Sequence, residues 1–173
     1  IRIMPVLFDD CAFGGKEPFL GDQGPPIPGV HNSRWTPSPG HKLVGDKSAY
    51  PELEAYVRTL IRSFRKDKRV LAWDLYNEPG ASGMGVRSYD LLKAAFRWAR
   101  EEKPEQPITV GIWDGLPEKL KTEIVKNSDV ISYHAYSTPD REKQRIERLE
   151  SFGRPLICTE WLRRGVGNTF FSM

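Results

Sequence analysis

The segment Leu71-Ala72-Trp73-Asp74-Leu75-Tyr76-Asn77-Glu78-Pro79 decides the fold. It reads as a buried strand that stops on a carboxylate, and Pro79, with no N–H to give a neighbour, forbids the pairing from continuing. A glutamate there stands on a rigid element at the strand's C-terminal end, as a proton-transfer group requires. The same pattern recurs in Pro155-Leu156-Ile157-Cys158-Thr159-Glu160-Trp161, a second hydrophobic strand that ends on Glu, with an indole beside it.

Working outward from these two runs, strand-like and helical patterns alternate along the whole chain. Ile1–Phe8 reads as the first strand. Leu53, Tyr56, Val57, Leu60, Ile61 and Phe64 follow the i, i+3, i+4, i+7 rule of an amphipathic helix, with Ser48 as its cap and Pro51 and Glu52 in its first turn. Val70–Tyr76 is the second strand. The next helix carries Leu92, Ala95, Phe96 and Ala99 on one face, with Ser88 as cap. Ile108–Trp113 is a third strand, Pro117 with Leu120 and Ile124 a short helix, and Val130–Tyr136 a fourth strand. Pro139 opens a charged helix that turns Ile146, Leu149 and Phe152 inward and stops at Gly153, before the strand Leu156–Trp161. A further helix is expected from Gly167.

This alternation predicts the α/β class with parallel βα units. The open doubly wound sheet and the closed barrel share it, and the residues at the strand ends separate them. No phosphate-binding glycine fingerprint is present: Gly83-Met84-Gly85 leads on to Ser88 where a third glycine would stand. Instead Asp9, Asn77, Glu78, Trp113, Asp114, His134, Tyr136, Glu160 and Trp161 cluster where strands end, and a barrel gathers such ends at one mouth. The expected fold is therefore a partial TIM (β/α)8 barrel with parallel strands and outer helices. The long Gly/Pro-rich connection from Cys11 to Ala49, with His31, Trp35 and His41, comes after a strand and would lie at that mouth.

Composition excludes several classes. With 39% hydrophobic and 28% charged residues the chain is neither disordered nor membrane-spanning in character. A net charge of +3, with bases and acids interleaved in the stretch from Asp140 to Glu150, gives no nucleic-acid patch. Cys11 and Cys158 lack metal or redox spacing, and three His without a His-x-His or His-Glu-x-x-His pattern argue against a metal-dependent hydrolase. No cofactor or metal is expected.

Two carboxylates at facing strand ends are the machinery of glycoside hydrolysis, one an acid and the other a base or nucleophile. The ordered set W-D-L-Y-N-E-P, S-Y-H-A-Y and I-C-T-E-W resembles the clan A glycoside hydrolases, especially cellulase-like members near family 5. The resemblance covers nearly the whole chain. It implies that Glu78 is the acid/base, that Glu160 is the nucleophile of a retaining double displacement, and that Asn77 binds the sugar 2-hydroxyl. It also implies that the His134-x-Tyr136 pair lies on the sixth barrel strand, with the Tyr136 hydroxyl on the nucleophile. Aligned so, the chain is a single catalytic-domain piece, residues 1–173, holding strands three to seven, with strands one, two and eight absent, and with them the clan's second-strand Arg and eighth-strand Trp.

Trp35, Trp113 and Trp161 are candidates for stacking on sugar faces, and Asp9 and Asp10 for substrate contact or turn capping. Asp74 shares the parity of Glu78 and should point into the barrel, where a buried carboxylate needs a partner. The charge of Glu160 should raise the pKa of Glu78. The expected partner is a β-linked polysaccharide or oligosaccharide, with glucan, mannan and xylan all open; no nucleic-acid or membrane partner is expected. The alternative is a non-catalytic carbohydrate-binding barrel or an inactive barrel fragment. Ile1–Phe8 already reads as a strand with no lead-in, so an N-terminal region upstream is expected. A secreted or periplasmic location is compatible with the sequence and is not determined by it, nor is the oligomeric state.

Overall fold

Among the described residues, five strands run parallel in the order of the chain. In the computed structural model, which describes residues 1–161 apart from Gly14 and Gln23, β1 (Val6–Asp9) pairs with β2 (Trp73–Asn77) and β2 with β3 (Ile108–Thr109). A second ribbon pairs β4 (Ile131–Ala135) with β5 (Leu156–Trp161). The ribbons join through a parallel bridge between Ile112 and Tyr133: Ile112 N donates to Ser132 O at 2.8 Å and His134 N to Ile112 O at 2.9 Å. The order never reverses, as it does at the switch point of a doubly wound sheet, and it is the order of consecutive barrel strands. The helix expected from Gly167 lies outside the described residues.

Two strands are shorter than their apolar runs predict. Ile3 bridges Val70, but the β1 ladder starts only at Val6, because Pro5 contributes a carbonyl (Asp74 N to Pro5 O, 3.0 Å) and no N–H. β3 ends at Thr109 rather than Trp113, and Ile112 pairs with β4 instead. Where the ribbons meet, a Cβ on Gly111 would stand 2.7 Å from His134 Nε2, so only glycine lets the backbone pass this close to the imidazole.

The helices α1 (His41–Val44), α2 (Tyr50–Phe64), α3 (Tyr89–Glu101), α4 (Glu118–Asn127) and α5 (Pro139–Glu150) fall between the strands. Leu53, Val57 and Ile61 of α2 are buried, as are Leu92, Ala95, Phe96 and Ala99 of α3 and Leu120 and Ile124 of α4. Tyr56 and Phe64, expected inside, are instead exposed at the rim of this stripe. The caps also differ from expectation. Ser48 lies in a 3-10 turn whose cap is Asp46, and Ser88 leaves the α3 amides to donate its hydroxyl to Asp10. Across α2 and α3, Arg58 and Arg62 both pair with Glu102. Among the described residues no helix is long and apolar enough to cross a membrane.

Candidate active site

Glu78 follows β2 directly and has φ +41°, a left-handed conformation that a non-glycine residue adopts only where its surroundings enforce it. Asp10 braces the chain on both sides of it. Its buried carboxylate accepts from Tyr76 Oη at 2.6 Å, from Gly80 N at 2.6 Å and from the Ser88 hydroxyl. The turn after Glu78 is thus held from the β1 side. Trp113 holds it from the other side, its indole N–H donating to Pro79 O at 3.2 Å.

The Glu78 carboxylate is engaged at both oxygens. Oε1 lies 2.8 Å from His134 Nδ1, and Oε2 accepts from the Cys11 thiol at 3.2 Å. The same His134 Nδ1 lies 3.4 Å from Glu160 Oε2, which also accepts from the Tyr136 hydroxyl at 2.8 Å. One donor atom each from Glu78, His134 and Glu160 lies within 4.8 Å of the other two. Exposure is graded across the trio: the side chain of His134 is 2% exposed, that of Glu78 17% and that of Glu160 35%. The buried imidazole joins two carboxylates that both reach solvent. Two carboxylates and an imidazole are also a set that could hold a divalent cation, though here each is already engaged by a neighbour.

Electrostatics corrects one expectation. The sequence predicts that Glu160 raises the pKa of Glu78, but the carboxyl of Glu78 is held below its ordinary value. Burial pushes it up; hydrogen bonds from His134 and Cys11 and the charge on His134 outweigh that push. Burial pulls His134 down, yet its bond to Glu78 and the charges of Glu160, Glu78 and Asp74 leave it above the ordinary imidazole value. Asp74, fully buried, is pushed up to about 7 by desolvation, which the Tyr76 amide and the charge of His134 only partly oppose. As its parity suggests, it acts electrostatically on His134 and feels Glu160.

The other sequence candidates take distinct places. Asn77 is buried, and its amide donates to Asp9 Oδ1 at 3.1 Å and lies 3.6 Å from Cys11 Sγ. Trp35 donates its indole N–H to Asp9 Oδ2 at 2.5 Å, and its half-exposed ring (49%) lines a cavity of about 380 Å³ together with Asn77 and Glu160. Trp161 is 55% exposed beside Glu160. Trp113 packs over Gly115, where a Cβ would strike its ring. Asp9 and Asp10 cap and brace rather than face outward, and Asp9 and Ser38 exchange backbone bonds at 2.8 Å, tying the long connection to the mouth. His31 stacks edge-on against Phe13, and His41 reaches Asp10 O at 2.9 Å, both in keeping with loop structure.

Two residues near the site escape a reading of the sequence, Cys11 and Gly111. Neither carries a local signal. Cys11 has no partner at a telling spacing, and its contact with Glu78 exists only because β1 and β2 are neighbours.

No family model and no curated protein matches the chain. Solved structures do. Xylanase 10B from Thermotoga maritima superposes with a TM-score of 0.53 at 19% identity, over 73% of this chain and 46% of that one. Xylanase XynB from Paenibacillus barcinonensis, complexed with a conduramine derivative, gives 0.54 at 18%, over 78% and 51%. A glycosylated endo-beta-1,4-xylanase of glycoside hydrolase family 10 from Gloeophyllum trabeum gives 0.50 at 13%, over 66% and 44%. The chain spans about half the length of these structures. At such identities the likeness concerns architecture, and it agrees with the strand order: the chain has the fold of part of a (β/α)8 barrel.

Proposed function

We propose that this chain is the third-to-seventh-strand part of a retaining glycoside hydrolase that cleaves a β-linked polysaccharide, with Glu78 as acid/base and Glu160 as nucleophile. One observation carries the proposal: carboxylate oxygens from the ends of two different parallel strands lie within 4.8 Å of each other and of one imidazole nitrogen. Retaining enzymes hold their carboxyl groups about 5–5.5 Å apart, whereas inverting enzymes need about 6.5–9.5 Å to admit a water. The close approach supports the double displacement. Glu160 attacks the anomeric carbon while Glu78 gives its proton to the leaving oxygen. Glu78, now a base, then takes a proton from the water that releases the sugar. Tyr136 orients the nucleophile through its bond to Oε2. Trp35 and Trp161 are exposed enough to stack on a sugar, and Asn77 stands at the cavity that Trp35 shares with Glu160.

The motifs read as family 5-like, while the similar folds include a family 10 xylanase. Clan A is what the two readings have in common. Glucan, mannan and xylan remain the substrates to compare, with xylan first in view of what those neighbours are named for. The convergence of the trio also gives the metal-dependent reading a concrete form, and retention of activity in a chelator disposes of it.

The test compares Ala variants of the two glutamates, made in the full-length protein, on aryl glycosides. Glu160→Ala removes the group that forms the glycosyl-enzyme, so every substrate should fail. Glu78→Ala should lose about 10²–10⁴-fold on poor leaving groups, as general-acid catalysis is worth. With an acidic phenol its first step should survive and the covalent intermediate accumulate. Equal losses on both substrates, with no burst of phenol, would overturn the assignment of Glu78. An intact protein that binds glycan and hydrolyses none would establish the binding-only alternative.

A further inference from the structure

We infer that Cys11 is a positioning residue for Glu78: its thiol, held as a donor against Oε2, keeps that carboxyl in place beside His134, and its removal moves the alkaline limb of the pH–rate profile. The inference rests on the acid/base reading of Glu78 and deepens it.

Three observations carry it. Cys11 Sγ lies 3.2 Å from Glu78 Oε2, within reach of an S–H donor. The thiol sits between two carboxylates, Glu78 and Asp9, and can turn only from one acceptor to the other. Its own amide is bound to Asp9 Oδ1 at 2.7 Å, the Asn77 amide stands 3.6 Å from the sulfur, and the residue is buried. The thiol also stays protonated, because burial first, then the charges of Asp9 and Glu78, push its ionisation far above the ordinary range. A thiol that stays protonated beside carboxylates acts as a donor, and the 3.2 Å contact is to Glu78.

The consequence is chemical. With Oε2 accepting from Cys11 and Oε1 facing His134 Nδ1, both oxygens of Glu78 meet groups that stabilise the carboxylate. That favours the base form needed for the second half of the reaction and makes the acid form scarcer as pH rises. The groups that act on Glu78 are Cys11 from the segment after β1, with Asp9 beside it, and His134 from β4. His134 is in turn held by Glu160 of β5 and influenced by Asp74 of β2. Cys11 is the neutral member of this set. Its removal changes hydrogen bonding without changing net charge.

The experiment is the pH dependence of kcat/KM of the full-length protein and of its Cys11→Ala and Cys11→Ser variants, on a glycoside with a poor leaving group. Loss of the donor in Cys11→Ala should move the alkaline limb up by roughly 0.5–1 pH unit, the shift expected from one weak bond to a charged group. Cys11→Ser, whose hydroxyl still donates, should move it back toward the parent position. Cys11→Val, close to the thiol in volume and without a donor, replaces Cys11→Ala if that variant does not fold. An unmoved limb, a downward shift, or the same shift for Ser as for Ala would overturn the inference. Failure of the underlying reading looks different: Glu78→Ala would then lack the leaving-group dependence, whatever the Cys11 variants do.

Discussion

The two glutamates end similar-looking strands, yet their settings differ in kind. Every residue of β2 is buried, it pairs on both sides, and the turn after Glu78 is braced by Asp10 and Trp113. β5 pairs, among the described residues, only with β4; its residues are half-buried or exposed, and Cys158 is open to solvent. Glu78 is thus held by a frame built almost wholly from residues 1–135, while Glu160 is held by its strand and by two side chains from β4 and its end, His134 and Tyr136. The difference teaches that the end bearing Glu78 carries its own support, while the end bearing Glu160 depends, among the described residues, on a single neighbouring strand.

This contrast is broken or sharpened most strongly at Asp10. Asp10→Ala leaves the buried donors of Tyr76, Gly80 and Ser88 without their acceptor, at about 1–3 kcal/mol for each group orphaned, so denaturant unfolding should show a loss of roughly 3–9 kcal/mol. The matching change on β5, Thr159→Val, deletes one long hydroxyl contact to Tyr133 O and should cost at most about 1 kcal/mol. Comparable losses at the two sites would end the distinction.

Next comes Asp74→Asn. Asp74 holds its proton in the fold to about pH 7, well above its ordinary 3.8, so the native protein loses stability as pH rises between those values. Asparagine keeps an acceptor for the Tyr76 amide and removes the titration. The variant should therefore gain on the parent between pH 4 and pH 7, by at most about 4 kcal/mol, in unfolding curves taken across that range. A difference that does not change with pH would contradict the burial of the charge.

Gly111→Ala tests the seam between the ribbons. Its Cβ would meet His134 Nε2 at 2.7 Å, and such overpacking costs about 1–3 kcal/mol. A displaced imidazole loses its grip on both carboxylates, so its pKa, followed by proton NMR, should fall toward the ordinary 6.5 while β2 stays folded. An unshifted imidazole would mean that the seam gives way elsewhere.

The smallest effect is the pH window of the Glu78–His134 pair. Glu78 is lowered, so its contribution is present above its ordinary 4.5 and is lost as pH falls through the folded value. His134 is raised, so its contribution is present below its ordinary 6.5 and is lost as pH rises through the folded value. The pair should add about 1 kcal/mol, greatest between those two values. His134→Gln, which can still donate but carries no charge, should flatten that maximum in thermal melts recorded by pH.

Much of this was legible in the sequence by itself. The order of strands and helices came from periodicity and from Pro and Gly punctuation, because burying one face of an element leaves a local, repeating mark on its residues. The two candidate carboxylates, Glu78 and Glu160, stood out because each ends a hydrophobic run. The late start of β1 after Pro5 was open to the rule applied at Pro79 and was not drawn; the early end of β3 at Thr109 was not legible, because Ile112 leaves β3 to pair with β4 beside the imidazole of His134. Nor was the lowered pKa of Glu78. Its sign is decided by His134 and Cys11, groups that the chain brings from β4 and from beyond β1, and a charge arrangement in space leaves no pattern along the chain. The residues themselves name the candidates, through the carboxylates and aromatics that end hydrophobic runs; which of them touch, and which way each titration is pushed, follows from strands that meet only in the folded chain.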